Sequence, residues 1–514
     1  MLTIGELIER NAQYYSDVEA YVYGDRRITY AQYAERTRQL ASGLYDLGLR
    51  RQERVAILAM NCPEYFEVYG AAEWAGYIAA LINFRLALPE MVQVIADAEP
   101  EVFIFEAQYA EMASQIREQL KGIGHFICIG GGSEWAHDYE QLVGAGSPLG
   151  PPIRSRPEDY CHLFYTSGTT GKPKGVPHSH ISACSSAQRT AQHSEINGSS
   201  RVLQVTPPFH VGGKGYPLAA LWTGSTIVLH RAFDPVNMLE TIDKEGITHT
   251  FMVAAMLQAV LDVPNVTSYD VSSMRNIISA SAPIPVPLLK RGINLLGPVF
   301  SVQYGMTESC GPVAVLPRHE VNPFGDEDAI RRLGSVGHVV PETPFRIVGD
   351  DGQECTPGVA GEVCIRSTLQ SSSYWNNTLA TLDAVKDGWY CTGDVGYLDD
   401  GGYLFLVDRK KDMIISGGEN IYSREVENAI LQHEDVVDVA VIGVPDPRWG
   451  EAVKAVVVLK SSANVDAEGL IQHCRKLIAA YKCPKSIEVL DELPRLATGK
   501  IDKLSLRSRY RSAA

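Results

Sequence analysis

No apolar run in this 514-residue chain is long enough to cross a membrane as a helix. The longest candidate, Val68 to Leu81, is broken by Gly70, Glu73 and Gly76, and reads as a buried helix. Basic charge is also short: 46 Lys and Arg stand against 61 Asp and Glu, a formal charge of −15. Nucleic-acid binders carry the opposite balance, so that class is excluded, although a local basic patch for a phosphorylated ligand is not. The ten cysteines, Cys62 to Cys483, form no CxxC pair and no Cys–His zinc spacing. A chain of this size needs no covalent staples, so they are expected as reduced, mostly buried thiols in a cytoplasmic protein. The opening MLTIGELIERNA has acids where a signal peptide needs a basic start and an apolar core. The closing RSAA is not a peroxisomal address. There is no internal repeat and no low-complexity segment.

What is present has the balance of a soluble globular chain, 45% hydrophobic and 21% charged. The length implies roughly two to four domains or subdomains. Tyr33, Leu40, Ala41 and Leu44 fall on one stripe and predict a helix over Tyr30 to Leu47. Short apolar runs at Arg54–Ala59, Val102–Phe105 and Phe126–Ile129 predict buried parallel strands, and Asn61 is placed to cap the helix after the first. The theme continues with a strand at Tyr160–Tyr165, a glycine-rich loop and a helix. Strands follow at Arg201–Thr206, Ser225–Leu229 and Thr248–Met252. From about residue 333 to 408, Gly, Pro and Asp punctuate short β runs (Phe345–Val348, Glu362–Ile365, Tyr403–Val407), which suits an antiparallel, barrel-like subdomain. The last hundred residues read as a small α+β unit: helix Ser423–Gln432, strands Val436–Ile442 and Ala452–Leu459, helix Asp466–Tyr481 and strand Ser486–Val489. The fold class is therefore α/β. A large N-terminal domain of two layered α/β subdomains plus a β-barrel-like subdomain spans 1–410, and a small mobile α+β domain spans 411–514. The charged run Asp408 to Asp412 is the hinge candidate.

The sharpest local signal is Tyr165-Thr166-Ser167-Gly168-Thr169-Thr170-Gly171-Lys172-Pro173-Lys174-Gly175. Glycines let backbone N–H groups turn inward as an anion cradle, hydroxyls add donors and lysines add charge. It is not a phosphate loop of the GxxxxGK[ST] kind, because Pro173 stands where Ser or Thr is needed. The stretch instead resembles the signature of the adenylate-forming superfamily, which comprises acyl-CoA synthetases, peptide-synthetase adenylation domains and firefly-type luciferases. Tyr304-Gly305-Met306-Thr307-Glu308, Tyr390-Cys391-Thr392-Gly393-Asp394, Asp408-Arg409 and Leu493-Pro494-Arg495-Leu496-Ala497-Thr498-Gly499-Lys500 match further family motifs in order, and Ser281-Ala282-Pro283 more weakly. The match runs from about Ile28 to Lys500.

That resemblance implies ATP, Mg²⁺ and coenzyme A as partners of a carboxylic acid, with Lys500, Thr307, Glu308 and His210 catalytic. Thr166, Ser167, Gly168, Thr169, Thr170, Gly171 and Lys174 would hold phosphates. Ser281, Ala282, Pro283 and Tyr304 would take the adenine side, and Asp394 and Arg409 the ribose. Glu308 and Thr166 would bind the metal. Lys411 falls at the family's hinge position, and Gly418 in the Ser416–Asn420 loop would line the thiol's path. Ser423, where the family often has Pro, can cap the helix that follows. His210 falls at the family's gate beside the carboxylate, and no aspartate near it offers a partner for an amino-acid substrate. Lys214 either meets a polar group of the substrate or points to solvent. Small residues at Gly213, Ala280 and Gly311 suggest room for a ring or chain. The expected reaction is ligation of an aromatic or medium- to long-chain acid to CoA through an acyl-adenylate. The alternatives are loading of a carrier protein, a luciferase-like oxygenase and a catalytically dead nucleotide sensor. No nucleic acid and no membrane span are expected, and a homodimer is allowed.

Overall fold

Alternating apolar runs and helical stripes build two twisted sheets in the larger part of the chain. The computed structural model describes residues 2–166, 173–280, 284–366, 373–410, 412–416, 419–446, 449–461, 463–496 and 499–511. It divides into two compact units, 1–344 with 366–388, and 345–365 with 389–514.

In the first unit, Arg54–Leu58, Ile78–Leu81, Val102–Glu106 and His125–Ile129 pair in parallel, with Tyr160–Thr166 parallel to Ile78–Leu81. The second sheet of this unit runs parallel through Thr226–Leu229, Arg201–Gln204, His249–Phe251, Asn276–Ser279 and Phe300–Met306. Parallel strands need helical crossovers, which cover both faces and explain the continuous apolar runs. Helix Tyr30–Asp46 starts at a capping box, with Thr29 and Gln32 each satisfying the other's backbone N–H. Helix Pro63–Ala75 is buried at all thirteen positions, as the Val68 run implied, but it stops at Gly76 in the left-handed region and the end of that run, Ile78–Leu81, is a buried strand rather than helix.

Two local expectations are corrected. Asn61 does not cap that helix; the N-cap is Cys62, and the Asn61 amide donates to the Thr206 and His230 carbonyls. The glycine-rich segment does not lead straight into a helix. Tyr160–Thr166 and Lys174–Ser179 pair antiparallel on either side of it, and the helix starts only at His180.

In the second unit, Phe345–Val348, Gly361–Ile365, Trp389–Leu398 and Leu404–Arg409 form antiparallel pairs. Val436–Asp446 and Gly450–Leu459 make a long antiparallel hairpin, with Ser486–Val489 parallel to its second strand. Helices Ser423–Leu431 and Ala467–Leu477 bury Val426, Ile430, Leu470 and Cys474 against it. The second of these helices is shorter than the sequence suggests because backbone beyond Leu477 turns extended at Ile478. Ser423 is not a capping side chain. Tyr422 occupies the N-cap, and the Ser423 N–H and hydroxyl both donate to the buried Asp408 carboxylate. Asp408, the first residue of the charged run, is thus tied into the second unit, as is Asp412 through Arg507 at 2.7 Å. All described cysteines are free thiols. No helix among the described residues is long and apolar enough to cross a membrane.

Candidate active site

In the first unit, strand Phe300–Met306 delivers the 304–308 motif to a short turn. Tyr304 is buried in the strand, opposite Ala314. Thr307 and Glu308 follow in a single 3₁₀ turn and are half-buried. Three residues outside the sequence motifs hold this turn. The His178 ring donates from Nε2 to the Thr307 carbonyl at 2.7 Å. Arg189, 2% exposed, donates to the carbonyls of Cys310 at 3.0 Å and Pro312 at 3.1 Å. Tyr374 donates its phenol to Glu308 Oε1 at 2.9 Å. The Tyr374 ring also lies 4.7 Å below Lys174 Nζ, the lysine that closes the glycine-rich segment. Trp375 secures that arrangement by donating its backbone N–H to Gly175 at 2.8 Å. Glu308, Tyr374 and Lys174 therefore form one carboxylate–phenol–ammonium cluster. Thr166, at the end of the preceding strand, reaches the Lys174 carbonyl at 3.5 Å.

Among the described residues, no three His, Cys, Asp or Glu side chains form a metal cage. Mg²⁺ commonly takes one or two carboxylates and completes its octahedron with phosphate oxygens and water. Glu308, accessible and steadied by one phenol, fits that donor set.

His210 ends the segment Pro207–Phe209 and is the N-cap of helix Val211–Thr223. Its ring packs 4.4 Å from Phe209, which in turn meets Phe84 edge-on. Gly213 does not make room for a substrate. A Cβ there would stand 1.9 Å from the Pro207 carbonyl oxygen, so its lack of a side chain serves backbone packing. Gly311 likewise has φ +136°, a conformation that side chains rarely adopt, and crowds Ser186 and Arg189. Lys214 does not point to solvent; it is 3% exposed and lies 2.8 Å from Glu73.

In the second unit, Asp394 and Arg409 face each other across paired strands and meet at 2.9 Å. The approach is shaped by Gly393 at φ +72°, whose N–H donates to Glu362 Oε1 and whose carbonyl accepts from the Lys410 N–H. Asp394 keeps little exposure, whereas the Arg409 side chain is 46% exposed. One oriented carboxylate beside an accessible guanidinium suits a vicinal diol. Lys500 is exposed, and its carbonyl accepts from the Leu496 N–H at 2.8 Å. Ser416 pairs with Glu419 as a hairpin end. The expectations on Ser167, Gly168, Thr169, Thr170, Gly171, Ser281, Ala282, Pro283, Lys411 and Gly418 lie outside the described residues.

Burial pushes the His178 imidazole down to about 3, and His180 and His249 to about 4. His178 is therefore neutral at physiological pH, and its one proton sits on Nε2, because the Thr307 carbonyl can only accept. In the unfolded chain each ring returns to about 6.5. Below that pH the unfolded chain takes up protons that the folded chain refuses, so stability falls as pH drops from about 6.5 towards 4. Each of the three rings costs about 2 kcal/mol at pH 5. The urea midpoint should fall steeply between pH 7 and 5, and His178→Gln should remove about one proton from that slope. An unchanged slope in the variant would contradict a buried neutral His178.

The first unit thus holds a carboxylate–phenol–ammonium cluster at the end of the hydroxyl- and glycine-rich segment, and the second holds an aspartate–arginine pair and an exposed lysine. Residues 8–375 match the family described as AMP-binding enzyme, and residues 425–500 match its C-terminal domain. The chain is 38% identical over 510 residues to an indoleacetate–CoA ligase of Aromatoleum aromaticum, covering 98% of both chains. It is 36% identical over 508 residues to a feruloyl-CoA synthase of an Amycolatopsis species, covering 99% of both. Its fold superposes on a crystal structure of the anthranilate CoA ligase AuaEII in complex with anthranoyl-AMP with a TM-score of 0.92, at 29% identity and covering 100% of this chain and 98% of that one. The chain belongs to the AMP-binding enzyme family and is an acid–thiol ligase of its acyl-CoA synthetase branch.

Proposed function

We propose that this ligase joins an aromatic or medium- to long-chain carboxylic acid to CoA, forming AMP and pyrophosphate through an acyl-adenylate. The observation that carries the reading is the Glu308–Tyr374–Lys174 cluster, a held carboxylate and an ammonium next to the glycine-rich segment in sequence. Relatives and a solved neighbour named for aromatic acids favour an aryl substrate.

In the first half-reaction a carboxylate oxygen bonds to the α-phosphorus and the bond to pyrophosphate breaks. Both reactants are anions, so the residues must supply positive charge and donors where charge builds. Lys174 and residues 166–171 would hold the leaving phosphates, Thr307 would donate its hydroxyl to the α-phosphate, and Lys500 would lie between carboxylate and α-phosphate. Glu308 and Thr166 would hold Mg²⁺, which supplies charge neutralisation at the leaving group. Asp394 would accept from both ribose hydroxyls with Arg409 beside it, Tyr304 and residues 281–283 would border adenine, and His210 would gate the carboxylate. In the second half, the CoA sulfur bonds to the acyl carbon and AMP leaves. The small domain, taken as 411–514, would turn about Lys411 so that residues 416–420, Gly418 among them, line the thiol's path.

The test is a panel of aryl and alkyl acids with ATP and Mg²⁺, with and without CoA. One acid class giving repeated turnover to acyl-CoA and AMP supports the reading and names the substrate. Pyrophosphate release that stops near one equivalent with CoA present transfers the assignment to a carrier-protein acceptor.

A further inference from the structure

Glu73 lies on the fully buried helix Pro63–Ala75 with no solvent exposure. A buried carboxylate is costly unless paired and hydrogen-bonded, so its partners carry information. Lys214 Nζ stands 2.8 Å from Glu73 Oε1 and 3.8 Å over the Tyr69 ring. The His162 ring, also without exposure, donates from Nε2 to the same oxygen at 2.7 Å. Burial pushes the Glu73 carboxyl up, but Lys214 and His162 outweigh it and hold it down to about 2. Burial lowers His162, so that ring is a neutral donor beside the Lys214–Glu73 contact.

This cluster reaches both ends of the proposed chemistry. On one side, Lys214 is in the first turn of the helix that His210 caps, and its N–H donates to the His210 carbonyl at 3.2 Å. Tyr69, one turn before Glu73, donates its phenol to the Pro208 carbonyl at 2.7 Å. Helix Pro63–Ala75 therefore grips the chain on either side of His210. On the other side, His162 is in register with His178 across the antiparallel pair, and the Phe164 ring packs against both, at 5.8 and 4.9 Å. His178 then holds the Thr307 carbonyl.

We propose that Lys214, Glu73, His162 and His178 are positioning residues, one buried line that sets His210, at the acyl side, against Thr307, at the phosphate side. The inference rests on the proposed adenylation reaction and deepens it. Stability alone is a poor reason for such a cluster, because apolar groups of similar volume often replace a buried ion pair at no cost.

The experiment is a double-mutant cycle of Lys214→Met and His178→Gln, read as acid-dependent exchange between pyrophosphate and ATP. Substitutions with no shared partner act additively when they are far apart. The expected result is that Lys214→Met raises KM for the acid by about tenfold with KM for ATP unchanged. The two substitutions should combine with at least a fivefold departure from additivity. If Lys214→Met alone does not fold, because it leaves Glu73 without its cation, the neutral pair Lys214→Met with Glu73→Gln replaces that arm. Additive effects, or losses confined to thermal stability, overturn the proposal while leaving the reaction standing. No acid-dependent exchange in the unaltered protein overturns the reaction itself.

Discussion

Replacing Lys500 by alanine should slow acid-dependent pyrophosphate release by about 10²–10³-fold, the usual effect of removing one preorganised charge from a transition state. Thioester formation from a supplied acyl-adenylate should continue near its normal rate. The asymmetry follows from the charge that builds only in the first half, when two anions approach and pyrophosphate departs. Lys500 is exposed, its carbonyl accepts from the Leu496 N–H, and Arg495 donates to the Gly499 carbonyl beside it. Single-turnover measurement of each half-reaction decides the matter, and equal loss in both would contradict the division of labour.

Glu308→Gln should cost a comparable 10²–10³-fold in adenylation and raise the Mg²⁺ concentration needed for half-maximal rate. Glutamine keeps the shape and can still accept from Tyr374, so the change isolates charge. Tyr374→Phe should show a smaller loss, about 10- to 100-fold, because a hydrogen bond to a charged group contributes about 1.5–3 kcal/mol. Neither position is in the core, so thermal midpoints should stay within a few degrees of the parent. A Glu308→Gln variant within tenfold of the parent at saturating Mg²⁺ would remove Glu308 from the machinery.

Most of the fold was legible because its signals are local. Apolar runs such as Arg54–Ala59 and Val102–Phe105 read as buried parallel strands, observed at Arg54–Leu58 and Val102–Glu106, and the stripe through Tyr33 and Leu40 marked its helix. The motif residues were legible as ordered short patterns, and the Asp394–Arg409 pairing follows from two strands that neighbour each other in sequence. What was missed is non-local. Glu73 and His162 are 89 residues apart, and His178 and Thr307 are 129 apart. Nothing near Lys214 shows that its ammonium turns inward rather than to water. Gly213 read as empty space because a missing side chain looks the same whether a ligand or a carbonyl fills the gap. The strand after the glycine-rich segment was missed because Pro177 and His178 obscure its pattern.

The central claim is that the acid's own oxygen becomes bonded to the α-phosphorus. It is tested most directly by supplying the acid with ¹⁸O in its carboxylate, together with ATP and CoA, and weighing the products. An acyl-adenylate route delivers one labelled oxygen to AMP and none to pyrophosphate. Label in inorganic phosphate, with ADP as co-product, or no label in any phosphorus compound, would contradict the account.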